Sequence, residues 1–231
     1  MSNIIRLPKG KQAPKASGYR IIARADETAE LYIYGAIGGD WFGEGITAKQ
    51  VADDLKALGK VKSIDVRINS EGGNVFDGKA IYSLLVENKA DINVKIDGLA
   101  ASAASFIAMA GNKIEIAEGA FVMIHDAYGV SFGRAEDMRK YADLLDTVNE
   151  TIREVYSART KQTDKQINTW MKDETWFTAK EAVANGFADK MTENLKVAAS
   201  VSHPNRFKKL PSALLPRRAA AQAQIAALAR I

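Results

Sequence analysis

One stretch constrains this chain more than any other: Asp97-Gly98-Leu99-Ala100-Ala101-Ser102-Ala103-Ala104-Ser105. A β-branched run, Ile92 to Ile96, leads into it and predicts a short strand. The small apolar residues Phe106 to Ala110 predict a buried helix, ended by Gly111. Ser102 then falls where a strand turns into a helix. A side chain there faces a cleft, among free backbone N–H groups at the positive end of the helix dipole. A nucleophile needs both features, an exposed hydroxyl and donors for the oxyanion it creates. A Gly/Ala/Ser turn that is merely tightly packed is the alternative, and this stretch alone does not choose between them.

The neighbouring sequence repeats the same pattern. Tyr19 to Arg24 and Leu31 to Ile37 predict two strands joined by a turn at Ala25 to Thr28. Gly38 to Gly45 is a glycine-rich loop. Thr47 is a helix cap, Val51, Leu55 and Leu58 share one helix face, and Gly59 ends that helix. Ser63 to Asn69 alternates as a strand and runs into Ser70-Glu71-Gly72-Gly73, before a helix from about Phe76 to Glu87. Lys113 to Ala117 and Phe121 to His125 predict two further strands. Strand, tight turn, helix, strand is the grammar of an α/β fold with largely parallel pairing, which gathers functional groups at strand carboxyl ends.

Arg134 to Thr160 carries the longest helical signal. Met138, Tyr141, Leu145, Val148, Ile152 and Val155 form a narrow apolar seam, suited either to the helix's own domain or to another subunit. Lys165 to Met171 predicts a short helix, and residues 173–178 lead into another at Ala179 to Asn185, closed by Gly186. Three regions are expected: a flexible basic arm over 1–18, a catalytic domain over 19–195, and a basic, Ala-rich tail over 196–231. Within that tail, a detachable amphipathic helix is expected after Pro216.

Composition removes several functions. The 231 residues contain no cysteine, which excludes a disulfide framework, a thiolate metal site and a cysteine nucleophile. A reducing cytoplasm is the expected location. The net charge of +4 gathers at the two ends, so no nucleic-acid partner is expected. No apolar run is long enough to span a bilayer, and the N-terminus lacks a secretory h-region, so no membrane association is expected. No Gly-x-x-x-x-Gly-Lys-Ser/Thr motif occurs, so the chain is not expected to bind ATP. No cofactor or metal is expected.

The chain has two histidines. His203 lies in the polar tail and is expected to be solvated. His125 ends an apolar strand about one βαβ step beyond Ser102. Neutral imidazole is a suitable base for a serine hydroxyl near pH 7, and a carboxylate should then hold its other nitrogen. The pair Gly72-Gly73 lets backbone amides approach a substrate carbonyl with no side chain in the way. One of those amides and that of Ala103 would make a two-donor oxyanion hole. The joint order carries the argument: Gly-Gly at one strand end, Gly-x-Ala-Ala-Ser at the next, His at a third.

Ile68-Asn69-Ser70-Glu71-Gly72-Gly73, Gly98-Leu99-Ala100-Ala101-Ser102 and Met123-Ile124-His125 resemble the three signature blocks of the ClpP-like serine peptidases. Residues 177–189 resemble the block after that family's acidic residue, and the likeness covers about Tyr32 to Met191. It implies a ClpP/crotonase-like spiral of ββα units with a protruding long helix, Arg134 to Thr160. By position it makes Ser102 the nucleophile, His125 the base, and Gly73 with Ala103 the oxyanion donors. The acid falls on Glu174 in an ungapped register, where the family usually has Asp, and a one-residue shift would give Asp173. Residues 128–133 would lie beside a bound peptide. The resemblance further implies a homo-oligomeric ring, a heptamer or double heptamer. The end segments and Trp176-Phe177-Thr178 are more similar to phage and prophage head-maturation proteases, with capsid or scaffold protein as substrate. The N-terminal arm does not resemble the loop that engages an unfoldase, so an ATPase partner stays an open expectation. The rival readings are a crotonase-type acyl-CoA enzyme, which would not need Ser102 and His125 together, and a non-catalytic scaffold protein.

Overall fold

The computed structural model describes residues 18–39, 45–193, 201 and 203–215. The expected arm, part of the glycine-rich loop and the expected helix after Pro216 lie outside them. The elements run β1 (Arg20–Ala23), β2 (Thr28–Tyr34), α1 (Ala48–Leu58), β3 (Ser63–Ser70), α2 (Val75–Val86), β4 (Asp91–Ala101), α3 (Ala103–Ala108), β5 (Lys113–Ala117), β6 (Phe121–Ile124), α4 (Ala135–Thr160), α5 (Asp164–Lys172), β7 (Thr175–Thr178), α6 (Ala179–Ala184) and β8 (Lys190–Thr192). Single 3-10 turns at Pro204–Arg206 and Ser212–Leu214 follow.

Local chemistry sets the boundaries. The Thr47 hydroxyl accepts from the Gln50 amide and starts α1, and Gly59 ends it at φ 72°. The Asn74 side chain accepts from the Phe76 and Asp77 amides at the start of α2. Alternation in β3 turns Ile64, Val66 and Ile68 into the core. In β4 the alternation stops at Asp97, and every residue from there to Ala101 is buried. Both faces of the strand are covered in this stretch, which is why small residues occupy it.

The described residues form one mixed sheet in the order β1-β2-β3-β4-β5-β8, with β6 on β4 and β7 on β6. β1 is antiparallel to β2, β7 is antiparallel to β6, and the other pairs are parallel. This is the mixed α/β architecture expected of the ClpP fold. Two strands differ from the sequence reading. Residues 175–178, expected to lead straight into a helix, first form β7, and β8 follows Asp189. β4 is also longer than the predicted strand, because its last residues pair with β6 while its first pair with β5. A register shift between Ile68 and Ser70 sets Ser70 opposite Ala100, beside the end of β4.

Midway along β4, Asp97 is buried and takes a bidentate contact from Arg67 at 2.8 and 2.5 Å and a hydrogen bond from the Tyr34 hydroxyl. The group ties β2, β3 and β4 together within the sheet that leads to Ser102. The seam of α4 divides. Val148 and Ile152 are buried on the domain beside Tyr156, Tyr141, Leu145 and Val155 are half-buried, and Met138 is exposed, as is the neighbouring Leu144. Tyr128, Val130 and Phe132 in the preceding loop are exposed too, Phe132 at 89%. No helix among the described residues is long and apolar enough to cross a membrane.

Candidate active site

Ser102 sits between β4 and α3 with φ 54° and ψ −128°, a backbone state that a residue with a Cβ rarely takes. Its amide donates to the Met123 carbonyl at 2.9 Å, and its own carbonyl accepts from the Ser105 hydroxyl at 2.6 Å and the Ser105 amide at 2.9 Å. The Ser105 hydroxyl also shares a 2.8 Å hydrogen bond with the buried Tyr156 hydroxyl. These bonds hold a strained turn in place, and strain held this way clusters at functional sites.

Because β6 lies beside the end of β4, its C-terminus brings His125 to the same place. Ser102 Oγ and His125 Nε2 are 2.7 Å apart, hydrogen-bond distance for transfer of the hydroxyl proton. The imidazole is held below its ordinary value. Burial is the main cause, and the Lys208 ammonium adds to it while the Glu174 carboxylate opposes it. The ring is therefore neutral, and able to accept a proton, at neutral pH.

The glycine pair lies against this turn. A Cβ at Gly72 would come within 2.7 Å of the Ser102 Cβ and 2.9 Å of the Ala103 nitrogen. The Gly72 amide donates to the Ser70 hydroxyl at 3.0 Å. The Gly73 amide has no hydrogen-bond partner among the described residues. Ala103 is the first residue of α3, so its amide has no acceptor one turn earlier in that helix.

The two expected acids are placed differently. Asp173 caps α5 with an exposed side chain, 3.6 Å from the Lys209 ammonium. Glu174 is buried and takes φ 49°. Its Oε1 accepts from the Lys209 amide at 2.6 Å, and its Oε2 accepts from the Lys208 amide at 2.9 Å. The Trp176 indole lies at 3.4 Å from Oε1. Glu174 thus acts on His125 through its charge, and no hydrogen bond joins His125 Nδ1 to either acid among the described residues.

A cleft of about 1070 Å³ opens over the pair, lined by Ser102, Ala103, His125, Gly73 and residues of α4, with His203, Arg206 and Phe207 from the tail. His203 is exposed as expected, but its ring and amide both lie 3.3 Å from the Glu71 carboxylate. No pattern in the sequence announced the tail's presence at the cleft, because its closest contacts to the site come from backbone amides.

Residues 15–195 match the family described as Clp protease. The chain belongs to the Clp protease family. It is 32% identical over 167 residues to the ATP-dependent Clp protease proteolytic subunit 1 of Leifsonia xyli, covering 69% of this chain and 85% of that protein. It is also 32% identical over 147 residues to the ATP-dependent Clp protease proteolytic subunit 2 of a Synechococcus strain, covering 63% of this chain and 75% of that protein. Membership in the Clp protease family points to serine peptidase activity.

Proposed function

We propose that this Clp protease family member is a serine endopeptidase with Ser102 as nucleophile, His125 as general base and Glu174 as the acid. The 2.7 Å contact between Ser102 Oγ and His125 Nε2, at a strained strand-to-helix turn, carries the reading. His125 Nε2 takes the hydroxyl proton as Ser102 Oγ attacks the peptide carbonyl. The oxyanion is met by the amides of Gly73 and Ala103. The tetrahedral intermediate collapses, His125 returns the proton to the leaving amine, and an acyl-enzyme remains. Water, deprotonated by the same imidazole, then hydrolyses the ester. Glu174 favours the imidazolium formed at each step.

Intact mass after exposure to a fluorophosphonate tests this reading. One adduct is expected on the wild type and none on Ser102→Ala or His125→Ala. Glu174→Ala should label slowly and Asp173→Ala like the wild type; the opposite order would move the acid to Asp173. An unlabelled wild type would favour the scaffold or acyl-CoA readings.

We further read the protein as a ring-forming oligomer acting on flexible segments of capsid or scaffold protein in a phage or prophage setting. The exposed apolar residues Tyr128, Val130, Phe132, Met138 and Leu144 support the oligomer. Phe132→Glu with Met138→Glu is expected to lower the sedimenting mass to that of a smaller species while leaving the far-UV spectrum intact. An unchanged mass would exclude this surface from assembly. An ATPase partner and a cytoplasmic location belong to the same proposal.

A further inference from the structure

The segment 203–215 follows the family-matched region, which ends at 195, yet it packs on the site. Leu214 is buried with Val201 against Leu99, Ala101 and Met123, residues of the two strands that end at Ser102 and His125. Phe207 stacks edge-on against Trp176, with ring centroids 5.2 Å apart. Docked this way, the segment presents two consecutive backbone amides, those of Lys208 and Lys209, one to each oxygen of the Glu174 carboxylate. Arg206 and Phe207 meanwhile line the same cleft as Ser102.

We propose that the docked C-terminal segment is a built-in latch that competes with His125 for Glu174, so that undocking the segment activates the enzyme. This rests on the peptidase reading above, with Glu174 as the acid. Hydrogen bonds to a carboxylate are charge-assisted and directional. Two of them aim the Glu174 oxygens at the segment, while His125 Nδ1 has no hydrogen bond among the described residues. An imidazole without its orienting acceptor is not fixed in the productive tautomer. When the segment leaves, the carboxylate loses both donors, and His125 Nδ1–H is the nearby donor that replaces them. The same departure removes Arg206 and Phe207 from the cleft wall and opens it to a peptide. The latch therefore acts on the acid and on access together.

The test uses the full chain. Leu214→Asp places a charge in the buried contact and should undock the segment. A second variant, Lys208→Pro with Lys209→Pro, removes the two amide donors and leaves the apolar contact in place. Fluorophosphonate labelling rate and hydrolysis of a flexible fluorogenic peptide are read in both variants, and trypsin cleavage after Arg206, Lys208 and Lys209 in the wild type and Leu214→Asp. Both variants should label about tenfold faster or more, small beside the ~10⁴-fold that a triad acid is worth. Leu214→Asp should also be nicked faster. Adding Glu174→Ala to Leu214→Asp should abolish the gain, which a loosened but unlatched site would keep. Equal or slower labelling of both variants, with the wild type labelled at Ser102, overturns the latch and leaves the peptidase standing. No labelling in any form overturns both.

Discussion

His125→Ala is expected to lower kcat/KM for peptide hydrolysis by about 10⁴- to 10⁶-fold. The size follows from what the ring does. Among the described residues Ser102 Oγ has a single base within hydrogen-bond distance, and without it the hydroxyl must attack while still protonated. The ring sits at a strand end and stacks edge-on with the exposed Tyr128, so its removal should change the thermal midpoint little. The wild type carries a companion signature in pH. A base must be neutral to work, and this imidazole is held below its ordinary value, chiefly by burial. The acidic limb of kcat/KM is thus expected below about pH 6.5, the ordinary imidazole value. Glu174→Gln removes the influence that opposes burial and should move that limb lower still. A loss under about tenfold in His125→Ala would remove the ring from the mechanism.

Gly72→Ala is expected to cost about 2–4 kcal/mol of stability and at least about a hundredfold in turnover. Two causes add. The residue takes φ +87°, which strains any side chain. The new Cβ would also meet the Ala101 carbonyl oxygen at 2.5 Å, and the Ser102 Cβ and Ala103 nitrogen within 3 Å. Two of these three atoms belong to backbone, which cannot rotate away, so the turn bearing the nucleophile has to shift. Gly59→Ala separates the causes. Gly59 takes φ +72° with open space around it, so that variant should lose about 1 kcal/mol and no activity. Thermal unfolding and peptide kinetics on the pair check both statements. Equal behaviour of the two variants would mean that contact with the Ser102 turn is unimportant.

Much of this was readable from residue order. Ile64, Val66 and Ile68 alternate because one face of β3 is core, and Thr47 and Asn74 precede helices because their side chains satisfy free amides. Ser102 and His125 were legible as chemistry at strand ends, and their adjacency followed once β6 was set beside β4. What escaped had no side-chain signal. β7 and β8 are four and three residues long, too short for alternation to register. The extension of β4 to Ala101 was read as turn, because glycine and alanine carry little strand propensity and only tertiary packing makes them strand. The positive φ of Ser102 and Glu174 falls on residue types that do not advertise it. The contacts of Glu174 come from the Lys208 and Lys209 amides, which any residue but proline would supply. The α4 seam looked uniform along its length, but only Val148 and Ile152 of it are buried, while Met138 toward its N-terminus is exposed.

β4 is shared lengthwise by two neighbours: Asn93 to Ile96 pair with β5 and Leu99 to Ala101 with β6. Its two halves are therefore expected to open as different cooperative units. The first half is locked on both edges by β3 and β5, and its amides should open to solvent only when the whole molecule unfolds. The second half pairs with β6, itself backed by the four residues of β7, and meets β3 only where Ala100 lies opposite Ser70, so it is expected to detach in a smaller, cheaper fluctuation. Ser102 follows that second half directly, and His125 follows β6, which pairs with it. Local melting there would separate Ser102 from His125 while most of the sheet stayed folded, so warming should extinguish catalysis before it extinguishes structure.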